Sequence, residues 1–458
     1  MRILFTFFVL FGPFSLAQQP DPLLSENPKH QKKWVDSIYQ SLSLDQKIGQ
    51  LFTPMVFSKK DEDHFDQIKY LIEKYHIGGI IFSSGSPLKQ SQWLNEFQSI
   101  SKVPLMISMD AEWGVAMRLD SILAFPWSMT LGAIKDNTII RRIAQRMGEQ
   151  ERILGVHMSY APVLDINTNP ENPIIGNRSF GEDPERVAEK GVALMKGHHD
   201  AGILTSGKHF PGHGDTAKDS HKTLPTVNFD RFRIENTEIY PFKKAIEQGL
   251  SSVMTAHLNV PALTFSTDPS SLSSAVVNQL LRQNIGFNGL AITDALNMKG
   301  ALPNDSDDNM DLLALLAGND VLLISQDIPL GIEKIKNAYY NLPIVKRRVE
   351  ESVKKILKAK FKVGLTQKIA IDINNLQARL NTRKDTLLIE EAYSKSITLI
   401  KNDNELLPLD PQTTYAHIKL GDDHSDVFEA QLRDYVNIKT VKSSTVEQAL
   451  DAIKDIKK

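Results

Sequence analysis

The stretch Gly202-Ile203-Leu204-Thr205-Ser206-Gly207-Lys208-His209-Phe210-Pro211-Gly212-His213-Gly214-Asp215-Thr216 joins an apolar run to a loop rich in histidine and glycine. The apolar run is typical of a buried strand. Pro211 and Gly212 then break it into a loop, which Asp219-Ser220-His221 closes. Connecting segments carry function more often than the elements they join, so this stretch predicts a buried strand that leads into a functional loop.

Seven further runs of this kind are separated by segments with helical spacing, and they lie at residues 51–56, 77–82, 104–110, 157–165, 251–257, 290–294 and 320–325. Nearly all-apolar strands that alternate with helices indicate a parallel sheet covered by helices. Eight such units between residues 45 and 363 favour an α/β fold of the (β/α)₈ TIM-barrel type. An open doubly wound sheet is the alternative architecture.

Polar side chains end several of the predicted strands: Asp110, Asp165, Lys208, His209, His257 and Asp294. The carboxyl ends of barrel strands converge on one face, where active sites are built, so these side chains are expected to form one site. The first strand is not followed by Gly-x-Gly-x-x-Gly, so a dinucleotide site is not indicated.

The chain divides into three predicted regions. Residues 1–17 have a positive start, a short apolar core and small residues before Gln18, which is typical of a secretory signal peptide. An uncleaved anchor or an apolar strand is the alternative. The barrel is predicted over residues 18–365. Residues 366–458 are interpreted as a linker and the N-terminal part of a second α/β domain.

In that last region the pattern predicts strands at 395–400 and 417–420 and helices at 384–393, 426–435 and 445–456. The second domain is short, and a further C-terminal domain is expected if the chain is part of a longer protein. Export to the periplasm or the medium is expected from the signal peptide, with no membrane contact after its cleavage.

Composition excludes several classes of function. The formal net charge of −2 over 458 residues gives no sign of a nucleic-acid partner. Cysteine is absent, which rules out disulfides, a cysteine nucleophile and thiolate metal sites.

The loop histidines allow two chemical interpretations. Imidazole and carboxylate side chains could bind a metal, although Pro211 and Gly212 make a helix that aligns His209 with His213 improbable. Alternatively, Asp219 orients the ring of His221 for acid–base work. A surface pair that caps a turn would explain the same spacing.

Asp294 ends an apolar strand, where a carboxylate in a water-poor barrel mouth binds a cation or attacks an electrophile. A helix N-cap is the structural alternative for this residue.

Three separated motifs resemble glycoside hydrolase family 3, and the likeness runs from about residue 40 to residue 365. They are the stretch Lys208–Gly214 with Asp219-Ser220-His221, the step Thr293-Asp294-Ala295-Leu296, and Asn177-Arg178-Ser179-Phe180-Gly181-Glu182-Asp183-Pro184. The Asp-Ser-His segment is similar to the β-N-acetylglucosaminidase branch of this family. The resemblance implies a retaining hydrolase that needs no cofactor or metal and acts on an oligosaccharide.

The resemblance also implies roles for individual residues. Asp294 matches the catalytic nucleophile, His221 the general acid/base and Asp219 its partner in an Asp-His dyad. The implied substrate-binding residues are Asp110, Arg118, Arg178, Lys208, His209, His213 and His257. The chain departs from the family pattern at Trp113, where glycine is commoner, and at Val115, where arginine often lies.

The expected substrates are peptidoglycan fragments or chitooligosaccharides, from which terminal β-linked N-acetylglucosamine would be released. A β-glucosidase or another specificity on the same barrel is the first rival, with phosphorolysis as a variant. A metal-dependent TIM-barrel hydrolase that uses the histidine cluster is the second. A catalytically silent carbohydrate-binding scaffold is the third.

Overall fold

The computed structural model describes residues 21–217, 223–264, 266–301, 310–421 and 426–456. The strands in these ranges are β1 (Phe52–Thr53), β2 (Met55–Phe57), β3 (Gly79–Ser84), β4 (Met106–Met109), β5 (Met158–Ser159), β6 (Leu204–Phe210), β7 (Ser252–Thr255), β8 (Leu290–Thr293), β9 (Leu322–Leu323), β10 (Thr414–Leu420) and β11 (Asn437–Ser443).

The first nine strands close into a parallel barrel. Strands β2 to β8 are hydrogen-bonded side by side in chain order. Only Pro54 separates β1 from β2, so the two act as one barrel strand. Strand β9 pairs with β1 through Phe52 and Leu322, and Ile292 in β8 bridges Val321 beside β9. The sheet therefore meets its own first strand, and the predicted α/β barrel is confirmed.

Up to residue 396 the described helices follow the barrel strands and cover the barrel, and two further helices accompany β10 and β11 in the second unit. They are α1 (Pro28–Ser41), α2 (Leu44–Gly49), α3 (Glu62–Tyr75), α4 (Pro87–Ile100), α5 (Ser128–Ala133), α6 (Asn137–Ile153), α7 (Pro184–Asp200), α8 (Arg231–Asn236), α9 (Tyr240–Glu247), α10 (Pro261–Thr264), α11 (Met310–Ala317), α12 (Ile328–Asn341), α13 (Pro343–Lys362), α14 (Leu376–Leu380), α15 (Arg383–Ser396), α16 (Asp426–Arg433) and α17 (Val446–Ile456), with a π-helix at Ala275–Asn284.

Strand β6 contains Lys208, His209 and Phe210, the first residues of the Lys208–Gly214 motif that leads into the predicted functional loop. All seven of its residues are buried. The apolar pattern predicts a strand that ends near Ser206, but hydrogen bonding continues to Phe210. Lys208 and His209 are therefore strand residues with buried side chains, which the barrel fixes in place.

One predicted element was wrong. The strand expected at residues 395–400 does not form. Helix α15 continues to Ser396, and residues 397–400 lie exposed with no strand beside them in the described part of the chain. Strand-forming side chains are therefore not sufficient for a strand, which also requires pairing with a neighbouring strand.

Contacts divide the protein into two units, residues 1–397 and 398–458. The sequence placed the end of the barrel region at residue 365. In the structure, residues after 365 also pack with the first unit: Arg146 in α6 contacts Asp385 at 2.5 Å and donates to the carbonyl of Arg379 at 2.9 Å. The second unit contains the parallel pair of β10 and β11, with α17 packed against both strands.

The predicted signal peptide at residues 1–17 lies outside the described residues, and the expected export stays a prediction. None of the helices in the described ranges combines the length and the apolar character that a bilayer crossing needs.

A buried pair of titratable groups lies between helices α6 and α7. Glu151 and His198 are both fully buried, with Oε2 of Glu151 3.8 Å from Nε2 of His198. Burial raises the pKa of Glu151 to about 8 and lowers the pKa of His198 to about 4. Near neutral pH the carboxyl group keeps its proton and the imidazole lacks one, so this is a neutral pair and not an ion pair.

We expect Glu151→Gln to flatten the alkaline loss of stability. The folded protein holds the Glu151 proton up to about pH 8, whereas the unfolded chain releases it near the ordinary value of 4.5. The stability that Glu151 contributes is therefore complete below pH 4.5 and falls as the pH rises through this window, by about 2–5 kcal/mol. Thermal unfolding at pH 5 and pH 9 measures it. Glu189→Gln, an exposed glutamate on α7, is the control; equal pH dependence in both variants would contradict the assignment.

Candidate active site

A cavity of about 280 Å³ opens at the carboxyl ends of the barrel strands. Seven of the predicted site residues line it: Asp110, Arg118, Arg178, Lys208, His209, His213 and Asp294. They come from four different strand ends or loops, which only the closed barrel brings together. The structure therefore places these seven residues together at this face of the barrel.

Charged side chains form a continuous cluster on one wall of the cavity. Nζ of Lys208 lies 2.8 Å from Oδ1 of Asp110 and 2.8 Å from Oε1 of Glu112. Arg118 donates to Oδ2 of Asp110 at 2.5 Å. Arg178 holds Glu112 with two hydrogen bonds of 2.9 and 2.7 Å. Three cations against two carboxylates leave the cluster with one net positive charge.

The cluster stays ionised although it is buried. Burial alone would raise the pKa values of Asp110 and Glu112. Lys208 and Arg118 lower the pKa of Asp110 instead, and Lys208 and Arg178 lower that of Glu112 well below its usual range. The same carboxylates raise the pKa of Lys208 against the opposing effect of its burial. Fixed charges in a water-poor cavity are strong hydrogen-bonding partners for hydroxyl groups.

Asp165 holds His209 and His213, the two histidines of the Lys208–Gly214 stretch, in position. Its Oδ2 accepts from the ring of His209 at 2.7 Å, and its Oδ1 accepts from the backbone N–H of His213 at 2.6 Å. The ring of His213 is 2.7 Å from the hydroxyl of Thr216. Both Nδ1 atoms are therefore engaged, which fixes the ring orientations.

Asp294 directs its carboxylate to the cavity from the end of β8. Its backbone N–H donates to the carbonyl of Thr255, and its Oδ1 accepts from the N–H of Ala295 at 2.8 Å. Burial works to raise the pKa of Asp294, but the charges of His209 and His257 and the Ala295 N–H lower it below the ordinary value. The group is therefore a carboxylate, available as a nucleophile, across the neutral range.

His257 has a different position from the other predicted substrate-binding residues. It is fully buried, with Nδ1 2.7 Å from the hydroxyl of Ser271 and Nε2 3.0 Å from the carbonyl of Ala295. These contacts hold the turn that carries Asp294. The structure therefore favours a supporting role for His257 over contact with substrate.

Asp219 and His221, the predicted dyad, lie outside the described residues. The stem of their loop is described and is held firmly. Asn172 donates to the carbonyls of His213 and Gly214 at 2.8 and 3.0 Å, and Arg233 contacts Asp215 at 2.5 Å. The described stem of the loop therefore lies beside the cavity, which His213 lines.

Glu112 was not among the predicted site residues, and Asp165 was expected at the site only as a polar residue that ends a strand, without an assigned role. A signal for each was present: Asp165 ends a predicted strand, and Glu112 is two residues beyond Asp110. Neither position tells which side chain will be its partner, because Arg178 and His209 are 66 and 44 residues away along the chain.

The histidine cluster does not resemble a metal centre in its described part. Over residues 21–217, 223–264, 266–301, 310–421 and 426–456, no three or more His, Asp or Glu side chains converge as a metal site would require.

The chain is similar to a known family of glycoside hydrolases and to named members of it. Residues 43–359 match the family model described as the glycosyl hydrolase family 3 N-terminal domain. A β-hexosaminidase A of Pseudoalteromonas piscicida is 29% identical over 423 residues, which cover 84% of this chain and 69% of that protein. A Cellulomonas fimi protein named β-N-acetylglucosaminidase/β-glucosidase is 27% identical, with 82% and 68% covered.

Solved structures give the same result. The structure of a glycoside hydrolase family 3 β-N-acetylglucosaminidase from Paenibacillus sp. str. FPU-7 is 32% identical, with a TM-score of 0.75. The match covers 91% of this chain and 82% of that one. The family model alone spans more than two thirds of the chain, and the barrel and its charged cavity agree with it. The chain therefore belongs to glycosyl hydrolase family 3 and is a glycosidase.

Proposed function

We propose that the protein is a retaining β-N-acetylhexosaminidase that releases terminal β-linked N-acetylglucosamine from peptidoglycan fragments or chitooligosaccharides. The observation that carries the proposal is Asp294, a carboxylate kept ionised at the wall of a cavity that also holds fixed charges for sugar hydroxyls. The names of the relatives at 29% and 32% identity support the acetamido specificity.

Retaining hydrolysis takes place in two displacements. Asp294 attacks the anomeric carbon, the bond to the leaving sugar breaks, and an acid donates a proton to the departing oxygen. Water then attacks the covalent glycosyl-enzyme, and the same group takes a proton from it. We assign the acid and base roles to His221, with Asp219 orienting its ring.

The charged cluster suits the non-reducing sugar. Asp110 and Glu112 accept hydrogen bonds from hydroxyls, while Arg118, Arg178 and Lys208 donate them. A ring held by several charge-assisted hydrogen bonds is fixed in position relative to Asp294. It can also be held in a distorted shape that stabilises positive charge at the anomeric carbon.

His221→Ala is expected to lower kcat on an aryl N-acetyl-β-glucosaminide by about 10²–10⁴-fold, the usual contribution of a positioned acid and base. The loss should be smallest with the best leaving groups, because these need the least protonation. Steady-state rates across a series of substituted phenols measure this. His30→Ala, an exposed histidine on α1, is the control. Undiminished turnover in His221→Ala would exclude the assigned role.

Three direct assays test the proposal as a whole. Rates on matched aryl glycosides should favour the N-acetylglucosaminide over the glucoside, and NMR should find the β-anomer of the sugar formed first. Inorganic phosphate should yield no sugar 1-phosphate.

A β-glucosidase is the second candidate, because the Cellulomonas fimi relative carries both activities in its name. A large preference for the glucoside would favour it. Export is proposed from residues 1–17 and is tested by locating the protein in fractionated cells.

A further inference from the structure

A second cavity, of about 310 Å³, opens at the amino ends of the barrel strands, on the face opposite to the active site. Its walls are the C-terminal parts of α4 and α6, the residues just before β5, and the segment 363–372 that follows α13. All of them belong to the first unit of the chain. The volume lies at the lower end of the range found for small-molecule sites.

The segment that closes this cavity is tied to helix α4. The side-chain amide of Asn95 accepts from the N–H of Ile371 at 2.7 Å and donates to the carbonyl of the same residue at 3.0 Å. Nζ of Lys368 donates to the carbonyl of Ser99 at 3.0 Å. Gly155 allows the close approach, because a Cβ atom there would lie 2.6 Å from Cδ1 of Ile371. The cavity is therefore held open by its own contacts, so a ligand would have little of the chain to order.

Positive charge predominates in the lining. Arg152, Lys368 and Arg379 line the cavity. Asp372 is the only acidic side chain of the lining in the part of the chain that the structure describes, and it lies 3.5 Å from Arg379. Arg152 has no carboxylate partner among the described residues and donates to the carbonyl of Val363 at 3.3 Å. Three cations and one carboxylate leave two positive charges in excess.

His157 adds a hydrogen-bond donor to the lining. Its Nδ1 accepts from the N–H of Ile107 at 3.2 Å. Burial, with the charges of Arg152 and Lys360, lowers the pKa of His157 to about 3. The ring is therefore neutral near pH 7 and carries its proton on Nε2. Within the described ranges no protein group accepts from this Nε2–H, so it is available to an acceptor that enters the cavity.

The remaining lining is largely apolar and does not suit a small hydrated ion. Leu94, Ile153, Val363 and Ile371 contribute to it. An inorganic anion gains nothing from such surfaces, whereas an apolar group is stabilised there because it leaves water. The lining therefore matches a ligand that has an anionic end and an apolar body.

We propose that this cavity binds an organic carboxylate, with its charge held by Arg152 and His157 and its apolar body against Leu94, Val363 and Ile371. The guanidinium group of arginine matches the geometry of a carboxylate and can form two parallel hydrogen bonds with it. The Nε2–H of His157 supplies a third donor. The site is separate from the active site, and its existence does not depend on the proposed glycosidase activity.

Calorimetric titration of the full-length protein with sodium benzoate tests the proposal, with benzamide as the neutral analogue of the same shape. Benzoate should bind saturably at one site, and benzamide about ten-fold more weakly, because it lacks the charge. Arg152→Met should weaken benzoate binding about 5- to 10-fold, and Arg152→Lys should recover part of the affinity. Arg347→Met, which alters an exposed arginine on α13, is the matched control and should bind as the wild type.

The active-site cavity also has a net positive charge, so a further variant locates the bound benzoate. Arg118→Met removes a cation from the active site alone and should leave benzoate affinity unchanged. Weaker binding in Arg118→Met together with unchanged binding in Arg152→Met would place benzoate in the active site and overturn the proposal. The absence of saturable binding, or equal losses in Arg152→Met and Arg347→Met, would also reject it.

Two further comparisons test the class of ligand. Equal affinity for benzoate and benzamide would show that the cavity does not select a charge, and equal affinity for benzoate and inorganic phosphate would show that the apolar lining does not contribute. Either result contradicts the assignment to an organic carboxylate. These titrations contain no glycoside, so a failure of the proposed glycosidase activity leaves their outcome unaffected.

Discussion

Replacing Asp294 with alanine should lower kcat by about four orders of magnitude while leaving the fold intact. Catalytic groups that form the covalent intermediate usually cost this much when they are removed. Within the part of the chain that the structure describes, the carboxylate of Asp294 accepts one hydrogen bond, from the Ala295 N–H, so its loss leaves few unsatisfied partners there. Steady-state rates on an aryl N-acetyl-β-glucosaminide and a thermal unfolding curve measure the two effects.

Sodium azide distinguishes a lost nucleophile from a disturbed site. In Asp294→Ala a small anion can enter the space of the carboxylate and attack the anomeric carbon from that side. The product should be the α-glycosyl azide, formed faster than sugar is released. Asp268→Asn, which alters an exposed aspartate in the loop after β7, is the control and should retain full activity. Residual activity of Asp294→Ala above about one tenth of wild type would disprove the nucleophile assignment.

Lys208→Met should have the second largest effect, on activity and on stability together. Nζ of Lys208 bridges Asp110 and Glu112 at 2.8 Å each, which leaves its remaining N–H for a sugar hydroxyl. Removing it leaves the buried carboxylate of Glu112 and the partly buried carboxylate of Asp110 close together with less compensation, so we expect a loss of about 3–5 kcal/mol of stability. We also expect a fall in kcat/KM of about 10²-fold, through loss of a charged hydrogen bond to the sugar.

Lys190→Met separates these two effects. Lys190 is as deeply buried as Lys208, but it donates to the carbonyl of Ile134 at 2.5 Å and to Asn137 at 2.6 Å. These partners are not among the residues that line the cavity. The control should lose stability and keep its kcat/KM. Matching losses of kcat/KM in the two variants would mean that Lys208 acts only through folding.

The acid side of the pH–rate profile should reflect the low pKa of Asp294. Because the nucleophile stays ionised below its ordinary value, it does not limit activity between pH 5 and pH 8. The acid/base group is left to set the profile in that range.

Local pattern was sufficient for the barrel strands because each is an apolar run bounded by polar residues. Local pattern was not sufficient where the formation of a strand depends on pairing with another strand. Residues 397–400 have strand-forming side chains, yet Ile400 is 93% exposed and no strand forms. The backbone needs a partner to pair with, and sequence alone does not show whether one is present.

The sequence by itself determined the barrel, the family resemblance and which polar residues end the strands, since all of these follow from periodicity and short motifs. Only the tertiary structure decided which charges meet. Glu112 contacts Arg178 and Lys208, and Asp165 accepts a hydrogen bond from the ring of His209. His257 contacts the carbonyl of Ala295 and so supports the turn that carries Asp294. The physical reason is that electrostatic and hydrogen-bond partners are chosen by distances of about 3 Å in space. Residues far apart along the chain reach such distances only when the barrel closes.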